Sequence, residues 1–68
     1  PVDNTLFVEV DSKSSHHIII TDCMSRRVAE LDSDEHITAV DVNSLATGVY
    51  VITVISDEST YTTRFIKK

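Results

Sequence analysis

His16 and His17 stand side by side, with Asp22 and Cys23 a few residues on, the chain's nearest approach to a metal-binding set. Neighbouring residues of an extended strand point to opposite faces, so the two imidazoles cannot easily share one ion. No Cys-x-x-Cys or His-x-x-x-His spacing accompanies them, and a solvated pair at a turn-to-strand boundary is the simpler expectation. His36, beyond an acidic run, has no evident partner. The run itself, Asp32, Ser33, Asp34 and Glu35, reads as a solvated turn. It lacks the glycine and the ligand spacing of a dedicated calcium loop. Serines and threonines are plentiful, but a Ser-His-Asp set can be picked from any chain of this composition and means nothing without geometry. Cys23 is the single cysteine, so it forms no internal disulfide and reads as a small half-buried hydrophobe. These residue types give no reason to expect catalysis, a metal or a cofactor.

Two features further along say more. Gly48 is the only glycine and stands between a polar turn and the most apolar stretch of the chain. Such a glycine predicts a φ > 0 or a closely approached backbone. Tyr50 follows on the same face. Its ring is expected to cover the space left by the glycine while its hydroxyl finds water or a backbone partner. Leu45, the one large apolar residue of its turn, is expected to plug the open end of the core. The last five residues, Arg64, Phe65, Ile66, Lys67 and Lys68, then carry three of the chain's six Lys and Arg. Lysine at a strand end blunts edge-to-edge aggregation. Charge gathered at one end of an acidic molecule can also orient it against an acidic receptor surface.

The elements that must position these residues are strands. Leu6, Val8 and Val10 alternate with Phe7, Glu9 and Asp11, the pattern of a strand with one buried face. A polar turn over 11–15 leads to a second strand over 17–21, whose three successive isoleucines predict cover on both faces. A tight connection over 22–25 precedes a third strand over 27–31. After the acidic turn at 32–35, a fourth strand spans 36–42, with Ile37 and Ala39 on one face and Val40 and Val42 on the other. The longest break, 43–48, opens into the strongest strand, 49–55. There Val49, Val51 and Ile55 oppose Tyr50, Ile52 and Val54, and a central place in a sheet is expected. A turn over 56–59 and a closing strand over 61–66 complete the chain. No apolar pattern at helical spacing follows either helix-start candidate, Asn4 or Ser44.

About six to seven strands separated by turns every 8–12 residues, with no linker long enough for a crossover helix, predict a small all-β, antiparallel, immunoglobulin-like sandwich. Sixty-eight residues allow one domain. A domain of that size buries only roughly 60% of its unfolded surface, leaving little room for an enclosed cavity. The net charge of −5 argues against nucleic acid and against anionic membranes, and no apolar run is long enough to span a bilayer. Pro1 rather than Met opens the chain, which reads as a piece of a longer protein.

The order and spacing of four motifs resemble the C-terminal sorting domain of the type IX secretion system, across nearly the whole chain. Residues 1–8 are similar to the end of the family's opening Pro-Asn-Pro motif and its first strand. Residues 19–28, with Asp22 and Arg26, are similar to a hydrophobic-x-Asp-x-x-Gly-Arg-x-Val segment. Residues 37–42 with Leu45, Gly48 and Tyr50 are similar to the third motif, and Arg64 to Lys68 to the terminal one. Ser25 stands where the family usually has glycine. If that turn needs φ > 0, serine costs about 1 kcal/mol there.

The resemblance implies a non-catalytic address on the C-terminus of a Bacteroidetes cargo protein. It would be recognised by an outer-membrane translocon and a shuttle protein, often removed by a sortase, and would pass through the periplasm to the cell surface. Residues 64–68 would carry translocon recognition. The alternative is an adhesive immunoglobulin-like module binding a glycan or a protein. A glycan would need an exposed ring, and burial of both Phe7 and Tyr61 would remove that reading. Pairing of a partner strand at an edge, or dimerisation through an edge strand such as 49–55, stays open.

Overall fold

The computed structural model describes residues 3–10, 15–57 and 59–68. Most of the turn predicted over 11–15, the first two residues of the opening motif, and Glu58 lie outside these. Six strands run through the described residues, and none of those residues is helical: β1 (Thr5–Glu9), β2 (His16–Thr21), β3 (Arg27–Ser33), β4 (Ile37–Asp41), β5 (Gly48–Ser56) and β6 (Thr60–Lys67). All pairings are antiparallel. β1 and β4 form a two-stranded sheet, and the larger sheet has the order β3-β2-β5-β6. The two sheets enclose one core, as the immunoglobulin-like sandwich reading requires.

Alternation decides which residues fill it. Val8 from β1, Val40 from β4 and Val42 just beyond it face Ile18 and Ile20 of β2 and Tyr50, Ile52 and Val54 of β5. Leu6, Val10, Ala29, Leu31, Leu45 and Phe65 pack around them half-buried. The opposite parity looks outward: Phe7, Ile37, Val49, Ile55 and Ile66 are exposed. Ile19, on the outer face of β2, is half-buried, so cover on that face is partial where fuller cover was expected. A polar bond between the layers joins the hydroxyls of Ser33 on β3 and Thr38 on β4 at 2.7 Å. β5 lies between β2 and β6, the central place its composition predicts. It is therefore not an edge, so no partner strand can pair along it; among the described residues the sheet edges are β3, β6 and the two strands of the small sheet.

β3 runs two residues further than expected, to Ser33, which dissolves half of the acidic turn. Asp32 belongs to a strand, paired with His17. The register between β2 and β3 shifts at Ile20/Thr21, where Thr21 is matched to Arg27 and Val28 is left over. This bulge lets the tight connection close while the inward parity of Ala29 and Leu31 is kept.

Candidate functional site

β6 divides the predicted recognition segment between two faces. Phe65 points inward and stacks on Tyr50 across the β5–β6 ladder, with ring centroids 5.6 Å apart and planes inclined by 22°. Lys67, two residues on and therefore of the same parity, is only 6% exposed, and its Nζ donates to the Lys68 carbonyl oxygen at 3.1 Å. The basic end is therefore not wholly free of packing. Lys67 lies opposite Gly48 in the ladder, where its aliphatic stem meets no facing side chain. Arg64, Ile66 and Lys68 are exposed, and Ile66 and Arg64 pair with Val49 and Val51 on the outer face of β5. The outward product is a short strip: Val49 and Ile66 side by side, flanked by the Arg64 guanidinium and Lys68.

The loop before β5 is held from within. The Tyr50 hydroxyl donates to the Ala46 carbonyl at 2.7 Å, the Leu45 amide donates to the Val42 carbonyl at 3.0 Å, and the Asn43 amide donates to the Asp41 carboxylate at 2.9 Å. Leu45 packs half-buried on the core. Gly48 has φ 158°, and a β-carbon there would meet no atom within 4 Å. The Tyr50 ring therefore does not cover the glycine; it rests on Phe65. The demand at Gly48 is set by backbone conformation, not by space.

The β2–β3 connection is organised by Asp22. Its carboxylate accepts from the backbone amides of Met24 and Arg26, each at 2.9 Å, and from Nε of Arg26 at 3.0 Å. The Arg26 amide above all, then the Met24 amide and the Arg26 guanidinium, hold the Asp22 carboxyl below its ordinary 3.8. The Ser25 amide donates to the Asp22 carbonyl, and Ser25 has φ 63°, the left-handed conformation anticipated at this position. Cys23 is exposed in this turn, not half-buried as its residue type predicts, because the whole connection projects beyond the sheets. Register sets Thr21 level with Val51, and Val51 level with Arg64. Asp22, Arg26, Leu45, Gly48, Tyr50 and the end of β6, spread over the sequence, thus gather at one end of the sandwich.

The histidines differ from expectation. They do point to opposite faces, but neither is a solvated turn residue. His16 is 2% exposed within the sandwich. His17 lies on the outer face, with Nδ1 hydrogen-bonded to Asp32 and Nε2 to Glu30. The Asp32 bond first, and then the Glu30 bond, raise the His17 pKa above its ordinary 6.5. His17, and after it Arg27, lower that of Glu30 below 4.5. His36 does have partners: its Nδ1–H donates to the Val10 carbonyl at 2.6 Å, and its Nε2 lies 3.7 Å from the Glu9 carboxylate. Parity across the β2–β3 pair was the available signal for the His17 cluster; it needed the register, which residue types do not supply. Among the described residues no three His, Cys, Asp or Glu side chains are placed to hold a metal ion.

With that geometry in place, the comparison with known families is decisive: the family described as Secretion system C-terminal sorting domain matches residues 1–68, the whole chain. The chain belongs to that family. No curated protein and no solved structure matches it. The domain is a type IX C-terminal sorting signal, of a kind that implies interaction with the secretion machinery and export to the cell surface or medium, and it is not of a catalytic family.

Proposed function

We propose that this domain is the portion of a longer cargo protein that the type IX outer-membrane translocon reads. The contact surface is the outward side of β6, Arg64, Ile66 and Lys68, together with Val49 and Val51. The carrying observation is the split of the terminal strand: Phe65 and Lys67 are engaged in packing, whereas Arg64, Ile66 and Lys68 stand exposed. A strip of two adjacent aliphatic residues flanked by cations suits a receptor groove with an apolar floor and acidic rims. Asp22, Arg26, Leu45, Gly48 and Tyr50 act in this reading as the scaffold that presents the strip. The cargo would reach the translocon through the periplasm and be passed on by a shuttle protein. A sortase would then remove the domain by cleaving upstream of its first strand.

The test fuses residues 1–68 to a periplasmic reporter in a host that has this secretion system. A variant carrying Arg64→Glu, Ile66→Thr and Lys68→Glu leaves the inward residues intact. It is expected to keep the fold and to strand the reporter in the periplasm. Undiminished surface display of that variant would defeat the assignment of the outer strip.

The adhesive reading keeps one observation in its favour. Phe7 and Tyr61 are 67% and 63% exposed, so the burial that would have removed it is not found. The two rings make no stacking contact with each other among the described residues, where Tyr50 and Phe65 form the ring pair. They therefore do not form the joint flat platform a sugar ring would need.

A further inference from the structure

The sandwich is lopsided. Two strands of the small sheet oppose four of the large one, and the inner face of β6 is left uncovered towards its start: Tyr61 and Thr63 point inward yet are exposed. Beside them runs a groove of about 840 Å³, floored by Ile52, Val54, Tyr61, Thr63 and Phe65 and walled along one side by β1.

That wall is an unpaired strand edge, and its chemistry follows from the ladder. The Val42 amide donates to the Asn4 carbonyl, and the Val10 amide donates to the His36 carbonyl. With the Leu6↔Val40 and Val8↔Thr38 partners, these fix the even-numbered residues of β1 as the ones bonded towards β4. In an antiparallel pair successive residues turn their backbone groups to opposite sides. The N–H and C=O groups of Thr5, Phe7 and Glu9 therefore face the groove, where β1 has no partner strand among the described residues.

We propose that this groove receives a single extended peptide segment of another polypeptide, which pairs with β1 and becomes the missing third strand of the small sheet. Three observations select that occupant. Free backbone donors and acceptors along one edge are matched by another extended backbone. Strands lie about 4.8 Å apart and packed sheets about 10 Å apart, so a strand added to β1 falls over β6 and covers Tyr61 and Thr63. Charge selects further: among the described residues Glu9 is the one charged side chain lining the groove, on a chain of net charge −5. The incoming strand carries apolar residues inward and a Lys or Arg beside Glu9.

A second copy of this domain presenting its own β1 does not fit. Its large sheet would overlap the β5 and β6 already lying over that position. Along the edge of β3 the described residues line only a smaller hollow at Ser15, Asp32, Ser33 and Asp34, so a strand added there gains backbone bonds with little apolar burial. The inference stands apart from the outer strip of β6, and its test does not depend on secretion.

The probe is the synthetic heptapeptide Lys-Val-Thr-Val-Thr-Val-Lys, titrated into the 68-residue chain and followed by amide hydrogen exchange. Protection is expected to rise at the Thr5, Phe7 and Glu9 amides and to stay unchanged along β3. Two N-methylated peptides, one blocked at the threonine amides and one at the valine amides, are expected to differ, with one binding and the other not. Replacing both lysines of the probe by glutamate is expected to weaken binding.

Phe7→Pro removes an N–H that the β1–β4 ladder does not use, and is expected to abolish binding where Phe7→Leu retains it. Should the proline variant fail to fold, the methylated pair still decides. Absence of binding, equal binding of both methylated peptides, or new protection confined to β3 or to the outer face of β6 would overturn the proposal. So would cellohexaose shifting Phe7 and Tyr61 while the heptapeptide does not.

Discussion

Replacing Ser25 by glycine should stabilise this domain. Ser25 is exposed, donates its amide to the Asp22 carbonyl, and holds φ 63°. A side chain in the left-handed region costs roughly 1–2 kcal/mol, because the β-carbon crowds the following carbonyl. Glycine removes that cost and returns about 0.5–1 kcal/mol through the greater freedom of the unfolded chain. The net gain is therefore about 1 kcal/mol. Unfolding entropy is about 2.1 cal/mol/K per residue, so over 68 residues that gain raises the melting temperature by roughly 7 °C. Thermal and urea melts of wild type, Ser25→Gly, Ser25→Ala and Ser25→Val measure it. Alanine keeps the β-carbon and should stay near wild type, and valine should fall below it. A glycine variant no more stable than wild type would show that the turn has no strain to release.

Other perturbations probe the packing and the ionic contacts. Tyr50→Phe keeps the stack on Phe65 but removes the bond to the Ala46 carbonyl, and should cost about 1 kcal/mol in urea unfolding. Ile18→Ala, at a fully buried position, should cost about 2–5 kcal/mol, enough to leave a domain of this size largely unfolded by circular dichroism. Stability should also peak at mildly acidic pH. The raised pKa of His17 gives a contribution fully present below 6.5 and lost as the pH rises through the folded value. The lowered pKa values of Glu30 and Asp22 give contributions present above 4.5 and 3.8 and lost as the pH falls through theirs. In urea titrations at several pH values, His17→Gln should flatten the alkaline side of this profile and leave the Asp22 part of the acidic side in place.

Strand parity was the legible part of the fold. Val49, Val51 and Ile55 against Tyr50, Ile52 and Val54 predicts the two faces of β5 and its place between two strands, although Val49 and Ile55 on its outer face stay exposed. Lys67 was not legible by residue type, since lysine reads as exposed; its burial follows from sharing parity with Phe65 and facing a glycine. Cys23 reads as a hydrophobe by type, but its position in a projecting turn overrides that. His17 and His36 acquire partners only once β2 is set beside β3 and β1 beside β4, and these are matters of register. The left-handed turn at Ser25 could be anticipated through the glycine that the family places there, not from the serine itself.

The neighbours in the large sheet also govern when this domain can form. β2 has β3 on one side, reached by a tight turn, and on the other β5, which arrives only after β3 and β4 have been made. Until Gly48–Ser56 is in place, the Ile18 and Ile20 strand keeps one bare edge and much of its inward face uncovered. Non-local closure of this kind is slow, and without β5 the isoleucines lack the cover of Tyr50, Ile52 and Val54. Folding is then a single late event in the growth of the chain, and an intermediate that ends before β5 offers chaperones or proteases an isoleucine-rich strand.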